Sequence, residues 1–159
     1  MEQPELGRRR RFCSNACRQR AYRSRSVFPE AMAGRRWVRA DGKRPVQPDG
    51  SSASVSDPST WVPFDRVQSG AGDGFGVMLG DGLACLDFDH VLENGAVPDW
   101  VAEVVADHTD APLFVERSMS GDGLHVFFEY PERAGWRRGR VEFASRRRFI
   151  RATGDRITL

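Results

Sequence analysis

The chain has 159 residues, of which 40% are hydrophobic and 29% charged, with a formal net charge of +2. That length allows one domain with a proper core and a short appendage. No apolar run approaches the roughly 18 residues of a membrane span, and the charged amino terminus is unlike a signal peptide. A cytoplasmic protein with no membrane partner is expected. The three cysteines, Cys13, Cys17 and Cys85, cannot build a disulfide framework.

The small net charge hides a division. Residues 1–44 hold 13 Lys and Arg against 4 Asp and Glu, a balance of +9, and the remainder carries −7. A basic arm on an acidic-to-neutral body points to nucleic acid, or to a solvated tail. The division expected is a basic arm over 1–33 and a folded domain over 34–159. In the arm, Arg8, Arg9, Arg10, Arg11, Arg18, Arg20 and Arg23 are the candidate nucleic-acid contacts. Cys13 and Cys17 share one face of a short predicted helix and can both reach a metal. Structural zinc wants four ligands, and no cysteine or histidine precedes Cys13. The pair resembles the second half of a small zinc ribbon, so zinc is not expected in the isolated chain.

A first strand is predicted at residues 35–39. Asp57 as N-cap and Pro58 at the first helical position predict a helix to about Val67 that buries Trp61 and Phe64. Residues 69–74 are a glycine-rich break. A strand over 75–79, the turn Gly80-Asp81-Gly82 and the run Leu83–Asp89 read as a hairpin. The spacing of Trp100, Val101, Val104 and Val105 predicts a second helix over 97–108. Strands follow at 113–117 and 124–130, then a final pair at 140–144 and 149–153. The class expected is α+β, a mainly antiparallel sheet with about two helices.

Alternation along Leu83–Asp89 puts Asp87 and Asp89 on one face, about 6 to 7 Å apart. Two like charges so placed suit a divalent cation or simply face water at a strand end. In the turn 118–125, Ser118 and Ser120 offer hydroxyls while Gly121 and Gly123 let a phosphate approach the backbone. His125, just inside the next strand, can donate to a phosphate or act on a proton; the alternative is an ordinary hairpin with a half-buried histidine. Glu142, with apolar neighbours on both sides, either faces solvent or joins the two aspartates. Cys85 reads as a packing residue. Arg147, Arg148 and Arg151 bind a triphosphate or template, or form a solvated basic edge.

The order of these motifs says more than any one of them. Residues 80–89 (GDGLACLDFD), 116–125 (ERSMSGDGLH), 141–143 (VEF) and 148–155 (RFIRATGD) together resemble the amino-terminal domain of phage- and plasmid-type bifunctional DNA primase/polymerases, in the archaeo-eukaryotic primase superfamily. The resemblance spans roughly residues 35–156. It implies an RRM-like catalytic core and a metal-dependent nucleotidyltransferase that makes or extends primers. Asp87, Asp89 and Glu142 match the acids that hold two Mg²⁺ or Mn²⁺ ions. His125 matches the histidine that contacts the incoming triphosphate, with Ser118, Ser120, Gly121, Gly123 and Arg148 about the same nucleotide. Single-stranded DNA and nucleoside triphosphates are the implied partners. Such proteins commonly continue into a helicase, whereas this chain stops at Leu159, so a separate helicase is expected. The alternative is a catalytically reduced nucleic-acid-binding accessory protein of a mobile element.

Overall fold

A computed structural model describes residues 27–159 together with Ser14. The Cys13–Cys17 pair and Arg8, Arg9, Arg10, Arg11, Arg18, Arg20 and Arg23 lie outside the described residues. Among the described residues, nine strands form two sheets: β1 (Trp37–Asp41), β2 (Arg44–Val46), β3 (Gly74–Leu79), β4 (Leu83–Phe88), β5 (Phe114–Arg117), β6 (Leu124–Glu129), β7 (Trp136–Arg138), β8 (Val141–Ala144) and β9 (Arg148–Ala152). The first sheet runs β2-β1-β3-β9 and the second β5-β6-β4-β8-β7. Each strand pairing is antiparallel, as expected for the mainly antiparallel α+β class. No helix among the described residues is long and apolar enough to cross a membrane.

Among the described residues there is one α-helix, α1 (Asp99–Ala106), shorter at both ends than the sequence predicts. Its Val101 and Val105 bury against Ala84, Leu86, Phe88, Val126 and Phe128 of the second sheet. The opposite face of that sheet packs Leu83, Cys85, Phe114 and Phe127 against Trp37, Val77, Leu79 and Ile150 of the first. Strand β4 is thus buried on both faces, which explains why its sequence is nearly unbroken apolar. Phe28 and Met32, ahead of β1, belong to the same core, and Trp37 Nε1 donates to Met32 O at 2.7 Å.

The helix predicted over 57–67 is instead two 3₁₀ turns, Pro58–Thr60 and Phe64–Arg66. Asp57 does cap the first, accepting from Ser59 N. The turn cannot propagate, because Pro63 lacks an N–H and holds its predecessor extended. Val62 exchanges both backbone bonds with Trp37 at 2.9 Å. Phe64 is buried as expected, but Trp61 is only half-buried.

Two predicted pairings also change. Gly80–Gly82 does turn the chain, but beyond a single Gly80–Leu83 bridge it passes β3 and β4 into different sheets. β8 and β9, expected as a final pair, likewise part company, β8 joining β4 and β9 joining β3. The glycine-rich break has a fixed shape: the buried Arg39 guanidinium donates to the carbonyls of Val67, Gly70, Ala71 and Gly72.

Candidate active site

The antiparallel register sets the site. Across the second sheet Glu116 lies opposite His125, His125 opposite Asp87, Asp87 opposite Glu142 and Glu142 opposite Arg137. Directly opposed residues share a face, so five strands contribute one row of ionisable side chains. Asp89 follows Asp87 by two positions and falls on the same face. Asp87, Asp89, His125 and Glu142, singled out from sequence, therefore meet in one place.

That place is a cleft of about 1160 Å³ whose walls include Asp87, Asp89, His125 and Glu142, with Ser118, Met119 and Ser120 at its rim. Lys43, Arg137, Arg140, Arg147, Arg148 and Arg151 line it as well, so acids and cations share one opening. Asp87 is 24% exposed and His125 9%, with His125 Nε2 3.7 Å from Asp87 Oδ1. Behind the ring, His125 Nδ1 lies 2.8 Å from Oε1 of the fully buried Glu116. Burial pushes the Asp87 carboxyl above its ordinary range; His125 and Arg148 oppose the shift, and Asp89 and Glu142 add to it.

Arg137 is the residue that the sequence reading missed. Its guanidinium bridges two acids, reaching Asp89 Oδ2 at 2.6 Å and Glu142 Oε2 at 3.3 Å. Arg148 pairs with Glu142 at 2.9 Å, so it faces the site. With their acids drawn onto arginines, no three His, Cys, Asp or Glu side chains among the described residues are gathered as a ready metal cage. The donor set nevertheless suits a hard divalent cation: three carboxylates share a face, and a cationic group already sits between two of them. A signal for Arg137 was present, since Gly139 makes a tight turn that sets Arg137 across from Glu142.

The serine and glycine turn behaves as two layers. Ser118 Oγ and Ser120 Oγ lie 2.9 Å apart, and Ser120 donates to Asp122 at 2.6 Å. Asp122 also meets His90 Nδ1 at 2.7 Å, which raises the His90 pKa and lowers that of Asp122. Gly121 and Gly123 do not line the cleft; they shape the turn beneath it. A Cβ at Gly123 would stand 2.6 Å from Ser118 Oγ and 2.7 Å from Phe88 O. Cys85 is buried in the core and burial pushes its thiol far up, so it packs and does not react.

A sequence model of the family described as Prim-Pol, bifunctional DNA primase/polymerase, N-terminal, matches residues 19–157. The chain belongs to this family. Among curated proteins, none matches the sequence. The Prim-Pol match takes in all four motifs and every residue of the cleft, and membership of this family points to a function of DNA primase/polymerase type.

Proposed function

We propose that this Prim-Pol chain is a metal-dependent nucleotidyltransferase that synthesises or extends primers on single-stranded DNA in phage or plasmid replication. The observation that supports it best is the register row His125–Asp87–Glu142, with Asp89 beside it, in one cleft. In this reading the second sheet with α1 is the RRM-like core. Asp87, Asp89 and Glu142 hold Mg²⁺ or Mn²⁺, for which carboxylate oxygens are the natural ligands. Bound in pairs, such ions lower the pKa of a 3′-hydroxyl and neutralise a departing pyrophosphate.

The chain's own groups do the rest. Asp87 and Glu142 approach from neighbouring strands, so their separation is fixed by the backbone ladder and not by flexible loops. His125 Nε2 faces the triphosphate, and the Ser118 and Ser120 hydroxyls meet its oxygens from the rim. Arg148, which pairs with Glu142 at the cleft, would supply positive charge to the phosphates. The 3′-hydroxyl gives up its proton to solvent, and its oxygen bonds to the α-phosphorus as the bond to pyrophosphate breaks. The decisive experiment supplies the purified chain with single-stranded template, nucleotides and Mn²⁺ or Mg²⁺. Primer synthesis or extension, lost in Asp87→Ala, is expected; no product, or an unaffected variant, rejects the reading.

The bridging of Asp89 and Glu142 by Arg137 favours a second reading, an accessory protein of a mobile element whose acids are permanently neutralised. Such a protein binds single-stranded DNA without metal, and its affinity falls with salt by a slope of about −0.7 per phosphate contacted. Deleting residues 1–33 then flattens that slope. A cytoplasmic setting completes the proposed picture.

A further inference from the structure

We propose that Phe149 is a stacking platform for one unpaired base of single-stranded DNA, whose phosphates meet Lys43 and Arg147 in the same cleft. That the occupant is DNA rests on the primase/polymerase reading; the seat of the ring and the free cations around it do not. Strand β9 is an edge of the first sheet, and alternation sends its successive side chains to opposite faces. Arg148 turns to Glu142 of the second sheet, so Phe149 and Arg151 turn the other way. There β3 makes room for both. A Cβ at Gly76 would run into the Phe149 ring, and one at Gly74 would stand 2.7 Å from Arg151 Nη2. Ring and guanidinium therefore lie across bare backbone, at a cost to the strand that glycine carries where something must approach closely.

The two side chains then differ in what they have left to offer. Arg151, 14% exposed, pairs with Asp73 at 2.9 Å and donates to the Gly42 carbonyl, which ties the β1–β2 turn to β9. Phe149 has no such engagement. Every other phenylalanine among the described residues packs on a second aromatic ring, whereas Phe149 meets none, is half-buried and lines the cleft. With one face of its ring on Gly76, the other is unclaimed. Lys43 and Arg147 are exposed, line the same cleft and join no ion pair among the described residues. Single-stranded DNA asks for this combination, cations for its phosphates and an aromatic face on which any base stacks. The size agrees. At about 1160 Å³ the cleft exceeds the roughly 300–1,000 Å³ of a small-molecule site, so it holds more than the one nucleotide at the acidic row. A strand leading from Asp87 and Asp89 crosses the edge at β9 and reaches Phe149.

The test measures binding of a fluorescent oligothymidylate to the full chain, with chelator present and no nucleotide. Phe149→Leu keeps an apolar cover over Gly76 but has no aromatic face. It should bind about 5- to 150-fold more weakly, the worth of one stacked base, while Phe149→Trp should bind at least as tightly as wild type. On an abasic strand of the same length, wild type and Phe149→Leu should bind alike. Lys43→Gln and Arg147→Gln should each flatten the dependence of log affinity on log salt by about 0.7, one phosphate contact, and Phe149→Leu should leave it unchanged. This pattern supports the proposal whether or not the chain extends primers; a failure of primer extension alone strikes only the catalytic reading. Phe149→Leu binding as wild type does, or a loss that persists on the abasic strand, overturns the proposal and leaves that reading standing. A wild-type chain that binds no single strand overturns both.

Discussion

Two adjacent rows on one face of the second sheet make an instructive contrast. One row reads Phe114, Phe127, Cys85, Ala144; the next, two residues along each strand, reads Glu116, His125, Asp87, Glu142. The same four strands supply both, with the same register and the same pleat. The first row is covered by Trp37, Val77 and Ile150 of the opposite sheet, while the second borders the open cleft. The position of the first sheet, rather than any change in backbone, turns a core into a site. The apolar row holds the sheets together at one end, and this holds the ionisable row apart from bulk water without closing it.

Breaking the ionisable row has the largest expected effect. Asp87→Asn should cut primer synthesis by at least about a thousandfold, since several kcal/mol of charge stabilisation is lost. The same variant should raise stability. A carboxyl whose pKa is raised in the folded state contributes fully below its ordinary value of 3.8 and loses that contribution as pH rises through the raised value. At neutral pH the ionised Asp87 therefore carries a burial penalty, which asparagine removes. Denaturant unfolding in the presence of a chelator should find Asp87→Asn more stable than wild type at pH 7, with the difference vanishing below pH 4. Equal stabilities at pH 7 would show that the row carries no such strain.

Breaking the apolar row should do the reverse. Phe127→Ala, one row away from His125, should cost about 3–5 kcal/mol of stability. If the two rows are separable, the folded fraction of this variant keeps its turnover at low temperature. A smaller insult falls on the turn that joins β5 to β6. Gly123→Ala drives a methyl group against Ser118 Oγ and the Phe88 carbonyl, which should cost about 1–3 kcal/mol. It should also raise the KM for nucleotide more than it lowers kcat, because Ser118 must move. Thermal unfolding and steady-state kinetics on one preparation check both parts.

Much of this was legible before any coordinates, and the gaps have physical causes. Alternation placed Asp87 and Asp89 on one face, and the motif order drew His125 and Glu142 to them. The strands around the 118–123 turn do pair, but two other partnerships were not legible. Gly80–Gly82 and residues 145–147 look like hairpin turns, but each short connection crosses between sheets. The unbroken apolar run Leu83–Leu86 carried the clue, since only a strand buried on both faces needs it. The helix predicted after Asp57 failed at Pro63, whose effect outweighs a good cap. The burial of Glu116 was hidden because its donors, Thr153 and Gly154, follow β9 of the opposite sheet. No spacing rule connects residues 37 and 38 positions apart.

Arg137 offers the finest test of the contrast, because it distinguishes a row of acids kept for metal from a row neutralised for good. Its guanidinium is 57% exposed, so its ion pairs with Asp89 and Glu142 should contribute less than about 1 kcal/mol to stability. A divalent cation must compete with it for the same oxygens. Arg137→Ala should therefore leave the unfolding midpoint nearly unchanged while tightening Mn²⁺ binding severalfold, measured by calorimetry without nucleotide. The direction follows from charge alone: removing one cation from between two carboxylates leaves them to repel each other until another cation arrives. An accessory protein with no use for metal predicts the opposite sign of consequence, with Arg137→Ala binding no Mn²⁺ and losing affinity for single-stranded DNA through the loss of a basic group. The two outcomes separate a working site from a relic one by a single side chain that the register row places at its edge.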